Sequence, residues 1–410
     1  MISGPRCLAG LNVGSTVTTA VLVEDATGWD GGPGPARVIG VGEARTEGVR
    51  NRNVTHIEAA TESVREALRD AEEMAGVEVG VVYAGVGGDH VEIGSSSGVV
   101  AVAREEIDQR DVDRVHEVAR AILIPPDREL LHAIPQDYVV DGQAGIQDPR
   151  GMEAIRLESE VCVVTAGSPA CQNLRKTIDR AGYRTQELVF SPLATSLAIL
   201  TDEQRQAGVT LLEMGAAATE MLVYREGRLH LVATLPWGGA TVTNDIVKGL
   251  GIPLADAETL KRTRGLASTR AAGTDEKLDI AGPTPGSTRE VSRELLAHII
   301  EQRLDEMFGI IYEALEEKQV LGALPGGVVL TGGGANLQGI VELAQTVFNM
   351  PVALGRPGAG LEGVVEAVRD PRMSAAAGLA LYGRMRSRET GGGLTARTFS
   401  RFTDWLRDFF

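Results

Sequence analysis

Apolar and polar positions along this chain switch between strand-like and helix-like periods, and two distant stretches open in the same way. CLAGLNVGSTVTTAVLVED, near the N-terminus, predicts an apolar strand, a turn at Gly14-Ser15 and a β-branched return strand. VTLLEMGAAATEMLVYREG, near the middle, repeats that plan, with Glu213-Met214-Gly215 aligned on Asn12-Val13-Gly14. This weak internal repeat predicts two similar α/β halves. GGVVLTGGGANLQGIVELAQTVF, residues 326–348, predicts a buried strand, a loop at Gly332-Gly333-Gly334-Ala335 and a helix from about Leu337. Between the first repeat and its copy, VYAGVGGDHVEIGSSSGVVAV predicts hairpin strands. REEIDQRDVDRVHEVARAIL predicts a helix with Val112, Val115, Val118 and Ala119 inward, and LLHAIPQDYVVDG another strand. The polar, turn-rich stretch 268–288 predicts a loop or a weak hairpin, and 289–316 a long helix.

The last eighteen residues, GLTARTFSRFTDWLRDFF, predict an amphipathic helix outside any globular core. Phe399, Phe402, Trp405, Leu406, Phe409 and Phe410 fall in a sector of roughly 140°, with Arg397, Arg401, Asp404, Arg407 and Asp408 opposite. Aromatics make up 4% of the chain, so this cluster in its last twelve residues sets the segment apart. Such a face is a liability in water unless it meets a bilayer or a partner. RSRETGGG, residues 386–393, reads as the flexible linker that frees it, which favours the bilayer over a helix docked on the protein's own body.

The 410 residues, 43% hydrophobic, suffice for two or more domains. A net charge of −16 argues against nucleic acid and disfavours anionic lipid, so the nearly neutral tail would bind by burying aromatics, strengthened by several copies acting together. Cys7, Cys162 and Cys171 are widely separated or set in apolar runs, as buried free thiols in a reducing cytoplasm would be. The six histidines lack ligand spacing, so no metal site is expected. Neither a signal peptide nor a membrane-spanning run is apparent.

Paired glycine hairpins facing a cleft can hold a nucleotide's phosphates between two sets of backbone N–H groups. The candidates are Gly14, Ser15 and Thr16 in the first, and Glu213, Gly215, Ala216 and Ala217 in the second, followed by Gly238 and Gly239. Gly332, Gly333 and Gly334 allow close approach of a flat or anionic ligand. Glu258 and Lys261, three apart on one helical face, can reach a ribose or base or form an ordinary solvated ion pair.

This order of motifs resembles the actin-like ATPase superfamily, and within it the FtsA family of bacterial cell-division proteins. LNVGST, YAGVGGDHVEIGSSSGVVAV, residues 203–261, REVSRELLAHIIEQRLDEMF, VVLTGGGANLQGIVELA and the terminal helix carry the likeness. It implies an α/β fold of the actin-like, ribonuclease H-like kind. The first subdomain would use 1–82 and 164–192, with a family-specific insert at 83–163. A second would use 193–245 and 322–384, with an insert at 246–321, then a linker at 385–393 and the membrane helix at 394–410.

The resemblance also exposes departures. Asn12 stands where an aspartate usually organises magnesium, and it supplies no charge. Glu213 is longer than the usual aspartate, and Ala216, Ala217 and Ala218 replace two glycines and a threonine, crowding a phosphate. Ser191, before Pro192, stands where a glutamate or glutamine would orient the attacking water. Losing metal charge and water positioning together slows hydrolysis by several factors of ten. An ATP site with magnesium held weakly or not at all, and little or no ATPase activity, is the expectation.

Function implied by the resemblance is a tether. Such proteins attach FtsZ to the inner face of the cytoplasmic membrane at the division site, polymerise as actin-like protofilaments and recruit later division proteins. The 83–163 insert would meet a neighbouring subunit or later partners. The 246–321 insert would receive the FtsZ C-terminal peptide, with Arg289 and Arg293, four apart on one helix, and Lys261, Arg262 and Arg264 as candidate cations. The alternatives are a pilus-assembly actin-like protein at the inner membrane or a soluble actin-like nucleotide-binding filament protein. A sugar kinase lacks its catalytic carboxylate here, and a peptide-binding chaperone lacks its β-rich domain.

Overall fold

The computed structural model describes residues 7–24, 34–121, 124–273, 276–282, 284, 286–358 and 360–391. The expected membrane face, Phe399, Phe402, Trp405, Leu406, Phe409 and Phe410, lies outside the described residues.

Cys7–Val13 and Val17–Glu24 pair antiparallel on either side of Gly14, and Ala36–Arg45 adds antiparallel to the return strand. Val81–Val86 and then Arg184–Phe190 join parallel on the other side, and Leu361–Gly363 lies at the edge. The second half builds the same order. Val209–Met214, Thr219–Arg225 and Arg228–Leu235 run antiparallel, and Val328–Thr331 and Val352–Leu354 add in parallel beside the first of them. Parallel neighbours need crossovers, which Ile57–Ala75 and Ser168–Ala181 supply in one half and Arg293–Glu317 and Ile340–Phe348 in the other. The internal repeat is therefore a duplicated topology.

VYAGVGGDHVEIGSSSGVVAV does not form the expected hairpin. Val81–Val86 is buried from Val82 onward, as suits a strand inside the first sheet, whereas Val91–Ala101 alternates and pairs with Arg156–Gly167. Val91–Ala101, Arg156–Gly167, Arg128–Val140 and Gln143–Ile146 form a separate four-stranded sheet. Gln109–Arg120 packs on it, started by a capping box at Asp108. Val112, Val115, His116 and Ala119 take its inner face, so Val118, expected inward, is 44% exposed. His116 takes its place and hydrogen-bonds the Tyr138 hydroxyl at 2.8 Å.

Two further boundaries move. Arg289 belongs to Thr288–Ser292, which pairs with Lys277–Ala281, and the long helix starts at Arg293 because the Ser292 hydroxyl accepts the Leu295 N–H. Arg289 and Arg293 are thus not on one helix. At the other end, Ser374–Gly391 is a single helix that covers most of the expected 385–393 linker, and Arg386 Nε donates to Glu187 Oε2 at 3.1 Å.

One core unites the halves. Ser191–Ile199 is buried along its whole length and packs against Ser374–Gly391, while Val21 and Val38 of the first sheet and Leu211 and Tyr224 of the second pack in the same cluster. The helix backbones approach so closely that a Cβ at Gly378 would stand 1.9 Å from the Ala194 carbonyl oxygen. In contrast, Gly309 lies inside the long helix with nothing within 4 Å of an added Cβ. Gly378→Ala is therefore expected to cost about 1–3 kcal/mol through overpacking. Gly309→Ala should add about 0.5–1 kcal/mol through helix propensity. Thermal melts of the two variants against the parent check the opposite signs.

Candidate functional site

Arg52 touches Ser15 in the first hairpin turn and Glu213 and Glu220 at the base of the second, and both turns are largely occupied by the chain itself. At the first, the Gly14 N–H donates to Val17 O at 3.1 Å, and the half-buried Ser15 hydroxyl accepts the Arg52 N–H at 3.1 Å. The Thr16 carbonyl accepts the Thr46 N–H at 3.0 Å, and its side chain is exposed. Asn12, 8% exposed, lies with Ser191 beside Gly85: a Cβ there would be 3.2 Å from Asn12 Oδ1 and 2.4 Å from Ser191 Oγ. Ser191 is fully buried, and its hydroxyl has no hydrogen-bond partner among the described residues.

At the second turn, Gly215 N–H donates to Ala218 O at 2.9 Å. Gly215 O and Ala216 O then accept the N–H groups of Gly239 and Ala240 at 2.9 and 2.8 Å. Those donors open the helix Gly239–Leu250, the N-terminus that would otherwise be free for an anion. Only glycine fits at 238, where a Cβ would be 2.4 Å from Gly215 O. Ala217 is half-buried in the same turn.

Lys261 and Glu258 are brought together on Leu254–Arg264, at 2.7 Å, and Lys261 Nζ also donates to Gly239 O at 2.9 Å and Thr243 Oγ1 at 2.8 Å. Burial raises the Glu258 carboxyl, but hydrogen bonds from Lys261 and Thr243 outweigh it and hold the group below its ordinary range. The Gly332-Gly333-Gly334 loop lies against the second hairpin, with a Cβ at Gly332 falling 2.6 Å from Met214 O. It leads into a short 3-10 turn, Gly333–Asn336, and the next helix begins at Ile340 after Gly339 in the left-handed conformation, not near Leu337. No helix N-terminus therefore follows the triple glycine directly.

Of the charged centre of the cleft, the sequence patterns singled out Glu213 but neither Glu220 nor Arg52. Glu213 and Glu220 are direct cross-strand partners, where like charges repel. Arg52, from the first half, reaches between them, with Nη1 3.1 Å from Glu220 Oε2 and Nη2 3.6 Å from Glu213 Oε1. Thr195 Oγ1 donates to Glu213 Oε2 at 2.7 Å, and Gly88 N–H donates to Glu220 Oε1 at 3.1 Å. The pairing of two acids seven residues apart across a short turn was available as a signal for Glu220. Nothing in the sequence around Arg52 announces it.

A magnesium-bound triphosphate does not fit this end of the cleft. The helix donors are spent on Gly215 and Ala216, a guanidinium stands beside Glu213, and Asn12 and Ser191 bring no charge. Among the described residues no group of three or more His, Cys, Asp and Glu side chains could hold a metal ion. The nucleoside end is more open, since the Glu258 side chain is 44% exposed and Gly333 is exposed. Arg289 and Arg293, expected as peptide-binding cations, are engaged within the chain. Arg289 donates to Leu250 O, and Arg293 donates to Glu276 at 2.8 Å and to Arg264 O at 3.2 Å.

One guanidinium between two buried acids leaves one carboxyl poorly compensated. Burial pushes Glu220 up from its ordinary 4.5 to about 7; Arg52 opposes this, Glu213 adds to it and the Gly88 N–H opposes it. A carboxyl raised in the folded state binds its proton there and not in the unfolded chain between those values. The stability it contributes is therefore present at low pH and lost as pH rises through about 7. Glu220→Gln keeps an acceptor for Gly88 and removes the titration. Its melting temperature relative to the parent should be higher at pH 8 than at pH 5.5, whatever the absolute change; equal shifts at both would contradict this.

Comparison with known proteins fits this architecture. The family model "Cell division protein FtsA" matches residues 210–378, and "SHS2 domain inserted in FTSA" matches 88–165, the region of the four-stranded sheet. The chain is 37% identical over 377 residues to the cell division protein FtsA of Neisseria meningitidis serogroup B, covering 88% of this chain and 90% of that one. Among solved structures, the PilM–PilN type IV pilus biogenesis complex aligns with a TM-score of 0.65 at 19% identity, covering 92% of this chain and 98% of that one. MreB5 of Spiroplasma citri bound to ADP aligns at 0.57 with 10% identity, covering 95% and 99%. At those identities the two structures establish the actin-like fold and no more, so the likeness to a pilus-assembly protein is one of fold. With both actin-like halves and the inserted module matched along most of its length, the chain belongs to the FtsA family of cell division proteins.

Proposed function

We propose that this protein is a cell-division scaffold that tethers FtsZ filaments to the inner face of the cytoplasmic membrane at the division site. The observation that supports it most is the 37% identity to a cell division FtsA over most of the chain. In this reading the aromatic face of residues 394–410 enters the lipid headgroups and the chain assembles into actin-like protofilaments. Assembly matters because one short amphipathic helix binds only weakly, and several in register multiply its effect. No helix among the described residues is long and apolar enough to cross a membrane.

The inserted module meets neighbouring subunits or later division proteins, and the insert at 246–321 takes the FtsZ C-terminal peptide. With Arg289 and Arg293 hydrogen-bonded within the chain and Arg264 4.0 Å from Glu276, the exposed Arg262 on the last turn of Leu254–Arg264 is the better candidate to meet acidic side chains. Nucleotide enters by its nucleoside end, where Glu258, Lys261 and the Gly332-Gly334 loop would hold ribose and base. That ATP is bound with magnesium held weakly or not at all, and scarcely hydrolysed, accords with the occupied phosphate end.

Co-sedimentation of the full chain with liposomes, with and without the FtsZ C-terminal peptide, tests the tether. The parent should pellet with liposomes and carry the peptide along, while the variant lacking 394–410 and the single changes Phe402→Glu and Trp405→Glu stay in the supernatant. Sedimentation unaffected by those changes would overturn the membrane assignment.

A further inference from the structure

Arg52 reaches the cleft from an unusual place. Val49–Arg50 and Asn53–Val54 pair as a two-residue ribbon, and the residues joining them both have positive φ, 49° at Asn51 and 62° at Arg52. Such a turn favours asparagine in the first position and glycine in the second, because a side chain there crowds the backbone. A strained arginine persists where its surroundings over-determine it. Here its N–H is held by Ser15 and its guanidinium by Glu213 and Glu220 of the other half. Gly87 leaves the required room, since a Cβ there would be 2.1 Å from Arg52 Nη1.

We propose that Arg52 takes the place of a divalent cation at the phosphate end of the cleft, latching the second hairpin to the first half through Glu213 and Glu220. The two facing carboxylates create a demand for positive charge of the kind a divalent cation could meet. This chain meets it with a guanidinium that is permanently charged and only 12% exposed. A metal ion entering between the acids would have to expel Arg52 and leave its charge unpaired, which opposes entry. The latch keeps the turns of the two hairpins together without metal or nucleotide. It rests on the cleft alone, so its failure is separable from that of the tether or of nucleotide binding.

Thermal melts of the nucleotide-free full chain, with and without millimolar magnesium chloride, test the latch in the parent, Arg52→Ala, Glu220→Gln and the double variant. His90, whose burial holds it below its ordinary range, also faces Arg52, so the melts are run at pH 8, where it is neutral, and at pH 5.5. Arg52→Ala should lower the midpoint by about 5 °C at pH 8 and by less at pH 5.5, where the stranded Glu220 is protonated. Magnesium should recover part of that loss while leaving the parent unmoved. The double variant should melt above Arg52→Ala alone, because one of the uncompensated carboxyls is gone. An Arg52→Ala effect that is unchanged in the Glu220→Gln background, or a parent stabilised by magnesium as much as the variant, would overturn the proposal. Should Arg52→Ala fail to fold, comparison of the parent with Glu220→Gln under magnesium and the folding of the double variant decide the same question.

Discussion

The crossing of Ser191–Ile199 over Ser374–Gly391 is the contact on which the rest depends. At Gly378 the helix backbones meet with no space for a side chain, and at Gly10 the same C-terminal helix lies against the first strand, where a Cβ would be 2.2 Å from Ala376 O. These approaches leave no freedom to slide, so the central helices hold both sheets at one spacing. The turns of both hairpins, and the strands carrying Asn12 and Glu213, are positioned by that joint. Dense packing of this kind transmits position, because displacement of either helix has no void to move into.

Duplication then gives the cleft its symmetry, and divergence removes it. Asn12 faces Thr19 across the first hairpin, while the equivalent pair in the second is Glu213 and Glu220. The negative charge therefore lies on one side only, and Arg52 crosses from the uncharged side to balance it. The second turn meanwhile docks on the helix N-terminus that could have received a phosphate. Two halves held by the chain's own charges and hydrogen bonds are compatible with the scaffold role proposed above.

Much of this was legible in the sequence because it rests on local patterns. The hairpins at Gly14 and Gly215, the buried strand before Gly332 and the second module all follow from runs of apolar and β-branched residues between glycines. Boundaries set by tertiary partners were not. Val81–Val86 and Val91–Ala101 resemble hairpin partners until burial on both faces sends the first into the central sheet. Arg289 looks like part of a helix, but Ser292 caps that helix three residues later and Lys277–Ala281 takes the preceding strand. The glycines of 386–393 suggested a linker, yet the helix runs on to Gly391. Arg52 is the clearest limit: its significance comes from partners more than 150 residues away and from a backbone conformation that its residue type does not favour.

If Arg52 closes the phosphate end of the cleft, magnesium has no place beside Glu213 when ATP binds. Calorimetric titration of ATP into the full chain, once with magnesium and once with a chelator, tests it most directly. Magnesium should bring no gain in affinity, since Arg52 already fills the position beside Glu213. A gain of tenfold or more with magnesium, equivalent to about 1.4 kcal/mol of added binding free energy, would contradict it.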